Sequence, residues 1–183
     1  MKKAYAEGVE LRGKTLGVVG IGRIGQATAK MALGLGMKVI AADSFIPQVD
    51  VKVEFFDGQS ITTTIVSQSL ESLFKEADFI TLHVPAQDGY IVDEAALAIM
   101  KDGVGIVNCA RGGVVDEIAL IKALDSGKVS FAGLDVFESE PKPEITILMH
   151  PKISLTPHIG AATGEAQDRI GTELASQIIS LLG

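Results

Sequence analysis

The sequence contains a single cysteine, Cys109, and no tryptophan among its 183 residues. One cysteine cannot form an intrachain disulfide, which is typical of proteins in a reducing compartment, so we expect a cytoplasmic location. Acidic residues outnumber basic ones, 23 to 16, and no basic cluster occurs beyond Lys2 and Lys3. A net charge of −7 without a basic patch argues against a nucleic-acid partner.

Long apolar runs are also lacking. No segment approaches the roughly 20 apolar residues that a membrane-spanning helix needs. The N-terminal stretch carries charges at Glu7, Glu10 and Arg12, so we do not expect it to be a signal peptide. No membrane partner is therefore expected, and we predict no metal site.

A glycine-rich turn organises the chain. The apolar run 16–19 ends in the sequence GIGRIG, which spans residues 20–25 and leads into a helical pattern. In such a turn Gly20 bends the chain, Gly22 admits a pyrophosphate close to the backbone, and Gly25 lets the helix pack against the strand. Backbone N–H groups around Arg23 and Ile24 would face the phosphates. The apolar face of this helix is predicted at Ile24, Ala27, Met31 and Leu35.

An acidic residue follows the next predicted strand. The apolar segment 38–42 ends in Asp43, near the spacing at which a carboxylate meets the adenosine ribose of a dinucleotide. A carboxylate there would repel the 2′-phosphate of NADP, so the pattern predicts NAD as the cofactor. The alternative is that Asp43 is only a turn residue before Ser44.

Strands and helices alternate along the rest of the chain. This alternation predicts an α/β fold of the Rossmann type, a doubly wound parallel sheet with helices on both faces. Residues 51–66 interrupt the alternation and read as a β-hairpin insertion, because β-branched residues flank Asp57-Gly58. Residues 1–13 are predicted to be a linker or the end of a helix, and residues 14–183 a single NAD-binding domain.

Candidate catalytic side chains follow the later strands. Hydride chemistry on a 2-hydroxy acid needs a cation for the carboxylate, a base for the hydroxyl proton and a group that orients the base. Arg111 suits the first role through its planar fork, His158 suits the second, and Glu140 could hold the other ring nitrogen of His158. The alternatives are that Arg111 is a surface turn residue and that His158 only begins a helix.

Two further side chains allow either a functional or a structural interpretation. His83 ends a predicted strand and could line the cofactor, although a partly buried strand residue is the simpler interpretation. Cys109 lies two residues before Arg111, and we expect a small buried apolar residue there rather than a reactive thiolate.

Four motifs in order resemble one known family. The segments GKTLGVVGIGRIGQ, VNCARGGVVDEIALIKAL, AGLDVFESEP and LTPHIGAATGEAQDRI are similar to the cofactor domain of the D-isomer-specific 2-hydroxyacid dehydrogenases. The resemblance implies an NAD-dependent oxidoreductase acting on the CH–OH group of a small 2-hydroxy acid or on the matching 2-keto acid. It assigns the substrate carboxylate to Arg111 and the acid/base role to His158, supported by Glu140.

The same resemblance implies a set of cofactor contacts and a partner. The expected contacts are Gly20, Gly22, Arg23, Ile24, Gly25, Asp43, His83, Val84, Pro85, Cys109, Ala110, Arg111, Asp135, His158, Gly160 and Ala161. The chain departs from the family beside Val84 and Pro85, because the loop 86–89 is shorter than is usual there. Cofactor domains of this family pair, so a homodimer is expected.

The chain departs from the family at its start, where members carry a substrate domain before the glycine turn. We therefore expect an isolated cofactor domain that binds NAD(H) but turns over little substrate, because domain closure aligns the reactants. Two alternatives stay open. One is a non-catalytic, NAD-sensing interaction module resembling corepressors of this fold, and the other is a different adenosine ligand such as S-adenosylmethionine.

Overall fold

Six parallel strands form the central sheet of the computed structural model, which describes residues 8–182. The elements in chain order are β1 (Thr15–Val19), α1 (Arg23–Gly34), β2 (Lys38–Ala42), β3 (Gln48–Glu54), β4 (Ser60–Val66), α2 (Leu70–Glu76), β5 (Phe79–Leu82), α3 (Glu94–Ile99), β6 (Val104–Asn108), α4 (Glu117–Ser126), β7 (Val129–Leu134), α5 (Ile145–Leu148), β8 (Ile153–Leu155) and α6 (Gly164–Leu182). The sheet order is β2-β1-β5-β6-β7-β8. The predicted parallel α/β fold is confirmed.

Buried apolar residues on both faces of the strands hold the sheet between layers. Val18 and Val19 are both buried, and because neighbouring side chains point to opposite faces they belong to different core clusters. One cluster packs α2, α3, α4 and α5 against the sheet. The other packs α1 and the hairpin of β3 and β4 against the first two strands.

Four of the helices begin at side-chain caps. Ser69, Asp93, Asp116 and Thr163 each accept a hydrogen bond from the backbone N–H three residues later, as N-cap residues do. Gly127 ends α4 in the left-handed conformation, with φ of 82°. These capping residues determine where the helices begin and end. They thereby also determine the length of the turns between the helices and the strands.

The predicted apolar face of α1 is wrong. Ile24, Met31 and Leu35 are 70%, 63% and 57% exposed. The buried positions are instead small residues, Gly25, Ala29 and Ala32. The reason is distance: α1 lies so close to β1 that only small side chains fit between them.

The predicted hairpin is confirmed, although it begins three residues earlier than the expected range 51–66. β3 and β4 pair antiparallel, and Val51 and Ile65 turn inward to pack against α1. The Phe55-Phe56 pair, which breaks the alternation of the sequence, starts the turn that joins the strands. Phe56 is fully exposed at the tip.

The apolar face of α6 is not buried in this chain. None of its described residues is buried, including the apolar stripe of Ile170, Leu174, Ile178 and Leu181. An ion pair between Arg23 and Glu173, 2.7 Å long, links α6 to the start of α1. Within residues 8–182 no helix is both long enough and apolar enough to cross a membrane.

The start of the chain lies partly outside the described residues. The expected linker or helix end covers 1–13, and the structure describes it only from residue 8. Residues 8–11 carry no regular element, and a turn at 12–13 leads into β1.

Candidate active site

The glycine turn between β1 and α1 leaves space on its outer side. Gly20 has φ of +88°, and a Cβ there would lie 2.5 Å from the carbonyl oxygen of His83. A Cβ at Gly25 would lie 2.1 Å from the carbonyl oxygen of Gly20, which explains the close packing of α1. At Gly22, in contrast, a Cβ would meet no described atom within 4 Å. The protein itself therefore does not need a glycine at position 22.

The start of α1 fits the pyrophosphate of a dinucleotide. Gly22 is the N-cap residue and offers no side chain to the first-turn N–H groups of the helix. Free N–H groups and the positive end of the helix dipole attract an anion. Arg23 lies beside them, and its guanidinium is paired with Glu173 at 2.7 Å. The open side of Gly22 is where a phosphate would approach this backbone.

Asp43 holds the turn from the end of β2. Its Oδ2 accepts the N–H of Ile21 at 2.8 Å, and its Oδ1 accepts the N–H groups of Phe45 and Ile46. Burial alone would raise the pKa of Asp43, but these three N–H groups together lower it. A carboxylate has about four acceptor positions, so about one remains for a ribose hydroxyl.

Asp135 organises the turn that carries His158. This buried carboxylate follows β7 and accepts the Thr156 hydroxyl at 2.6 Å and the N–H groups of Ile159 and Gly160, each at 2.8 Å. These contacts hold His158 in a left-handed conformation, with φ of 54°, which residues other than glycine rarely adopt. Burial alone would raise the pKa of Asp135, but the hydrogen bonds lower it.

His158 and Glu140 form a pair beside this turn. His158 Nδ1 lies 2.9 Å from Glu140 Oε2, and Glu140 Oε1 accepts the N–H of Phe137 at 3.0 Å. The hydrogen bond with His158, followed by that from Phe137, lowers the pKa of Glu140. A carboxylate at Nδ1 leaves Nε2 of the ring to exchange a proton with a ligand.

Asn108 shapes the turn that presents Arg111. Asn108 is 2% exposed; its Oδ1 accepts the N–H of Ala110, and its Nδ2 donates to the carbonyl oxygen of Arg111. The guanidinium of Arg111 is exposed and donates to the Ala110 carbonyl at 2.6 Å. No carboxylate among the described residues lies within 4 Å of it, so it is available to bind an anion.

The remaining candidates lie along the same edge of the sheet. His83 is partly buried, its Nε2 lies 3.0 Å from the Thr81 hydroxyl, and burial lowers its pKa. Val84 is half-buried and Pro85 exposed, as are Gly160 and Ala161 at the start of the turn into α6. The strand ends thus bring the predicted residues to one edge, as expected for ligand sites in open parallel sheets.

The expected burial of Cys109 is wrong. The residue is exposed, because it lies one position beyond the buried strand end at Asn108. Its thiol is nevertheless partly out of water, and this desolvation, with the charge of Asp135, raises the pKa of Cys109. A raised pKa disfavours the thiolate, so the geometry does not make Cys109 a nucleophile.

One residue of the site was not predicted from the sequence, and another has partners that were not expected. Asn108 lies within the quoted motif VNCARGG, and a polar residue at the end of an apolar strand was the available signal. Asp135 was expected to contact the cofactor, whereas its observed partners belong to the protein.

An apolar recess of about 390 Å³ lined by Phe137, Leu148 and Leu155 lies beside His158. No cluster of three or more metal-binding side chains occurs within the described range.

Comparison with known proteins decides the family. The model of the D-isomer specific 2-hydroxyacid dehydrogenase, NAD binding domain, matches residues 1–160. The chain belongs to this family. Its fold and its glycine turn are therefore those of an NAD-binding domain of a D-2-hydroxyacid dehydrogenase.

Curated relatives and solved structures agree with this assignment. The chain is 48% identical to a hydroxypyruvate reductase of Thermotoga maritima, a match that covers 100% of this chain and 57% of the relative. It is 45% identical to a D-3-phosphoglycerate dehydrogenase of Methanocaldococcus jannaschii, over 96% of this chain and 32% of the relative. The chain thus spans only about a third to just over half of the length of these relatives.

Two solved structures of the family share the fold. A D-lactate dehydrogenase from Aquifex aeolicus, in complex with NAD and lactic acid, matches with a TM-score of 0.74 and 35% identity, over 95% of this chain and 55% of its own. A glyoxylate reductase from Paecilomyes thermophila matches with a TM-score of 0.76 and 39% identity, over 90% of this chain and 48% of its own.

Gly22 provides a test of the pyrophosphate site. Gly22→Ala places a methyl group in space that no protein atom occupies, so the domain should fold, yet the methyl group would obstruct a phosphate. We expect the affinity for NADH, measured by fluorescence titration, to fall at least tenfold, equivalent to about 1.4 kcal/mol. Gly34→Ala, at the other end of α1 and also in open space, is the matched control and should bind as the native chain does. Equal affinities in both variants would place the phosphates elsewhere.

Asp43 provides a test of coenzyme preference. Two unit charges about 4 Å apart repel by about 4 kcal/mol at an effective dielectric constant near 20. Even half of that repulsion favours NAD over NADP by about 30-fold. We expect calorimetry to show this preference and Asp43→Asn to narrow it, whereas Asp57→Asn at the hairpin tip should leave it unchanged. Equal binding of both coenzymes by the native chain would contradict the role of Asp43.

Proposed function

We propose that this chain is the coenzyme-binding part of an NAD-dependent dehydrogenase of D-2-hydroxy acids. The observation that carries the proposal is the His158–Glu140 pair, at 2.9 Å, on the same edge of the sheet as the glycine turn. A nucleotide site alone would need no such pair. The pair gives that edge a proton-transfer group next to the place where the coenzyme is expected.

Each catalytic role follows from the chemistry of a side chain. The guanidinium of Arg111 pairs with the substrate carboxylate through two parallel hydrogen bonds, which fixes the orientation of the substrate. In the oxidation direction, Nε2 of His158 takes the hydroxyl proton, and the Glu140 carboxylate at Nδ1 stabilises the resulting imidazolium. When NAD is bound, its nicotinamide ring supplies the hydride acceptor.

The domain organisation supports part of this proposal. The chain spans just over half of the Thermotoga relative and about a third of the Methanocaldococcus relative. We propose that the substrate domain expected for the family lies outside this sequence, so that the chain binds NAD(H) without appreciable turnover. A cytoplasmic location and the pairing of two copies stay predictions.

For the substrate, we propose D-3-phosphoglycerate, oxidised to 3-phosphonooxypyruvate in serine biosynthesis. Its support is the order of the four motifs, which resembles D-3-phosphoglycerate dehydrogenase, and relatives of that name at 41–45% identity. The relative named hydroxypyruvate reductase makes hydroxypyruvate the principal competitor. The two keto acids differ by one phosphate group.

The exposed apolar face of α6 favours a second candidate function. Leu174 and Ile178 are 55% and 47% exposed, and such a face is suited to an interaction with another protein. In that case the chain would be an NAD-sensing interaction module, and the His158–Glu140 pair would have no catalytic role. The complete set of Arg111, Glu140 and His158 favours the enzyme.

The substrate is tested by comparing 3-phosphonooxypyruvate, hydroxypyruvate and glyoxylate as substrates of the complete gene product with NADH. We expect the highest kcat/KM for the phosphorylated acid, because a phosphate adds charged groups that a matched site can bind. The same assay on the 183-residue chain should show little turnover. A preference for hydroxypyruvate would replace the proposed substrate but keep the reaction class.

His158→Ala separates the enzyme from the sensing module. Loss of the acid/base group should lower kcat of the complete gene product by roughly 10²- to 10⁴-fold, while NADH affinity changes little. His150→Gln, at a histidine that pairs with Asp125 outside the predicted site, is the control and should keep the native rate. An unchanged rate in His158→Ala would contradict the catalytic assignment.

A further inference from the structure

Glu138 connects three of the turns at the carboxyl edge of the sheet. Its Oε1 accepts the N–H of Glu117 at 3.0 Å, and its own N–H donates to Oε1 of Glu117 at 2.9 Å. Its Oε2 accepts the hydroxyl of Tyr90 at 3.3 Å. These contacts join the turns that follow β5, β6 and β7.

Glu117 is an unusual partner for this exchange because it is only 7% exposed. Burial, followed by the charges of Glu138 and Glu144, raises the pKa of Glu117, although the N–H of Glu138 partly offsets this. A buried carboxylate is unfavourable unless its hydrogen bonds compensate. The N–H of Glu138 is the compensating donor that the structure provides.

The two turns that Glu117 and Glu138 join also touch directly. A Cβ at Gly112 would lie only 1.8 Å from the carbonyl oxygen of Phe137, so the backbone after Arg111 lies against the backbone that leads to Glu138. The exchange of hydrogen bonds between Glu117 and Glu138 fixes this contact at a second point. Together they set the position of one turn relative to the other.

The same segment carries the partner of His158. Glu138 lies between Phe137, whose N–H binds Glu140 Oε1, and Glu140 itself, whose Oε2 binds His158. A shift at Glu138 would therefore move both the donor to Glu140 and the backbone of Glu140. Orientation errors of this kind reduce catalysis even when every reacting group is present.

We propose that Glu117 and Glu138 form a latch that positions Glu140, and through it His158, relative to Arg111. Both are positioning residues, since their observed hydrogen bonds are to groups of the protein. The inference rests on the proposed function of Arg111, Glu140 and His158, and it adds a cause for their relative placement.

Loss of the charge of Glu138 and loss of its position would change the pKa of Glu140 in opposite directions, which makes the latch testable. Removing a nearby negative charge would lower the pKa of Glu140, because a carboxylate is harder to ionise beside another. A displacement of Glu138 and its backbone would raise the pKa of Glu140, because the hydrogen bonds of Glu140 with His158 and Phe137 would weaken. The charged groups that act on Glu140 are His158, which lowers its pKa, and Asp135, which raises it.

The experiment follows Glu140 and His158 by NMR in the 183-residue chain. The ¹³C shift of the Glu140 carboxyl group is followed against pH in four samples: the native chain, Glu138→Ala, Glu138→Gln and the control Glu165→Ala. The ring ¹⁵N shifts of His158 report the hydrogen bond at Nδ1 in the same samples. In Glu138→Ala we expect the pKa of Glu140 to rise toward its ordinary value and the Nδ1 signal to lose its hydrogen-bonded character. Glu138→Gln removes the charge but keeps an acceptor for the Glu117 N–H, so the pKa of Glu140 should not rise and the Nδ1 signal should stay native. Glu165→Ala should behave as the native chain does.

An unchanged or lower pKa of Glu140 in Glu138→Ala, with native ¹⁵N shifts, would overturn the latch. Glu138→Asp repeats the test with the charge retained and the reach shortened, and it decides the matter if the alanine variant does not fold. Fluorescence titration with NADH on the same samples keeps the two proposals separate. A native chain that fails to bind NADH would refute the proposed function, whereas the NMR titration would still decide the latch.

Discussion

The close approach of α1 to β1 is the constraint on which the nucleotide site depends. A side chain at Gly25 would collide with the carbonyl oxygen of Gly20, so the helix can begin against the strand only with glycine at both positions. This packing directs the first-turn N–H groups of α1 outward, past the open side of Gly22. The positive end of the helix dipole then meets solvent at the place where the carboxylate of Asp43 ends β2, and a dinucleotide needs both groups.

Carboxylates that accept backbone N–H groups hold the remaining turns in place. Asp43 binds three N–H groups, and Asp135 binds two and a hydroxyl. Glu140 binds the N–H of Phe137 while its second oxygen meets His158. Hydrogen bonds to charged acceptors are stronger than neutral ones, so short polar turns gain rigidity without apolar packing. The site is therefore built on turns that are fixed mainly by charge and hydrogen bonds.

Much of the fold could be predicted from local sequence signals. Capping residues such as Ser69, Asp93 and Asp116 act within one helical turn, and the alternating residues of the hairpin act between neighbouring strands. The buried face of α1 could not be predicted in this way, because it depends on the distance between helix and strand rather than on periodicity. The exposed face of α6 is similar, since an apolar stripe predicts a helix but does not tell whether its own domain covers it.

In the candidate site, too, some features could be predicted from local sequence and others depend on the folded structure. The motifs predicted that Arg111, Glu140 and His158 would lie at one edge, because parallel strands end together. Asn108 and the hydrogen bonds within the protein at Asp135 were not predicted, because residues distant in sequence make those contacts only after folding. The exposure of Cys109 depends on the last residue of β6. The strand ends at the buried Asn108, and Cys109 is the first residue beyond it.

The central claim is that backbone amides at the start of α1 bind the pyrophosphate of NAD. It is tested most directly by following the backbone amide signals of the ¹⁵N-labelled chain by NMR during titration with NAD. The account predicts that the largest saturable shifts occur at residues 22–25 and around residue 43, with smaller ones at 109–111 and 158–161. An absence of saturable shifts at residues 22–25 up to millimolar NAD, or shifts confined to the hairpin and α6, would contradict it.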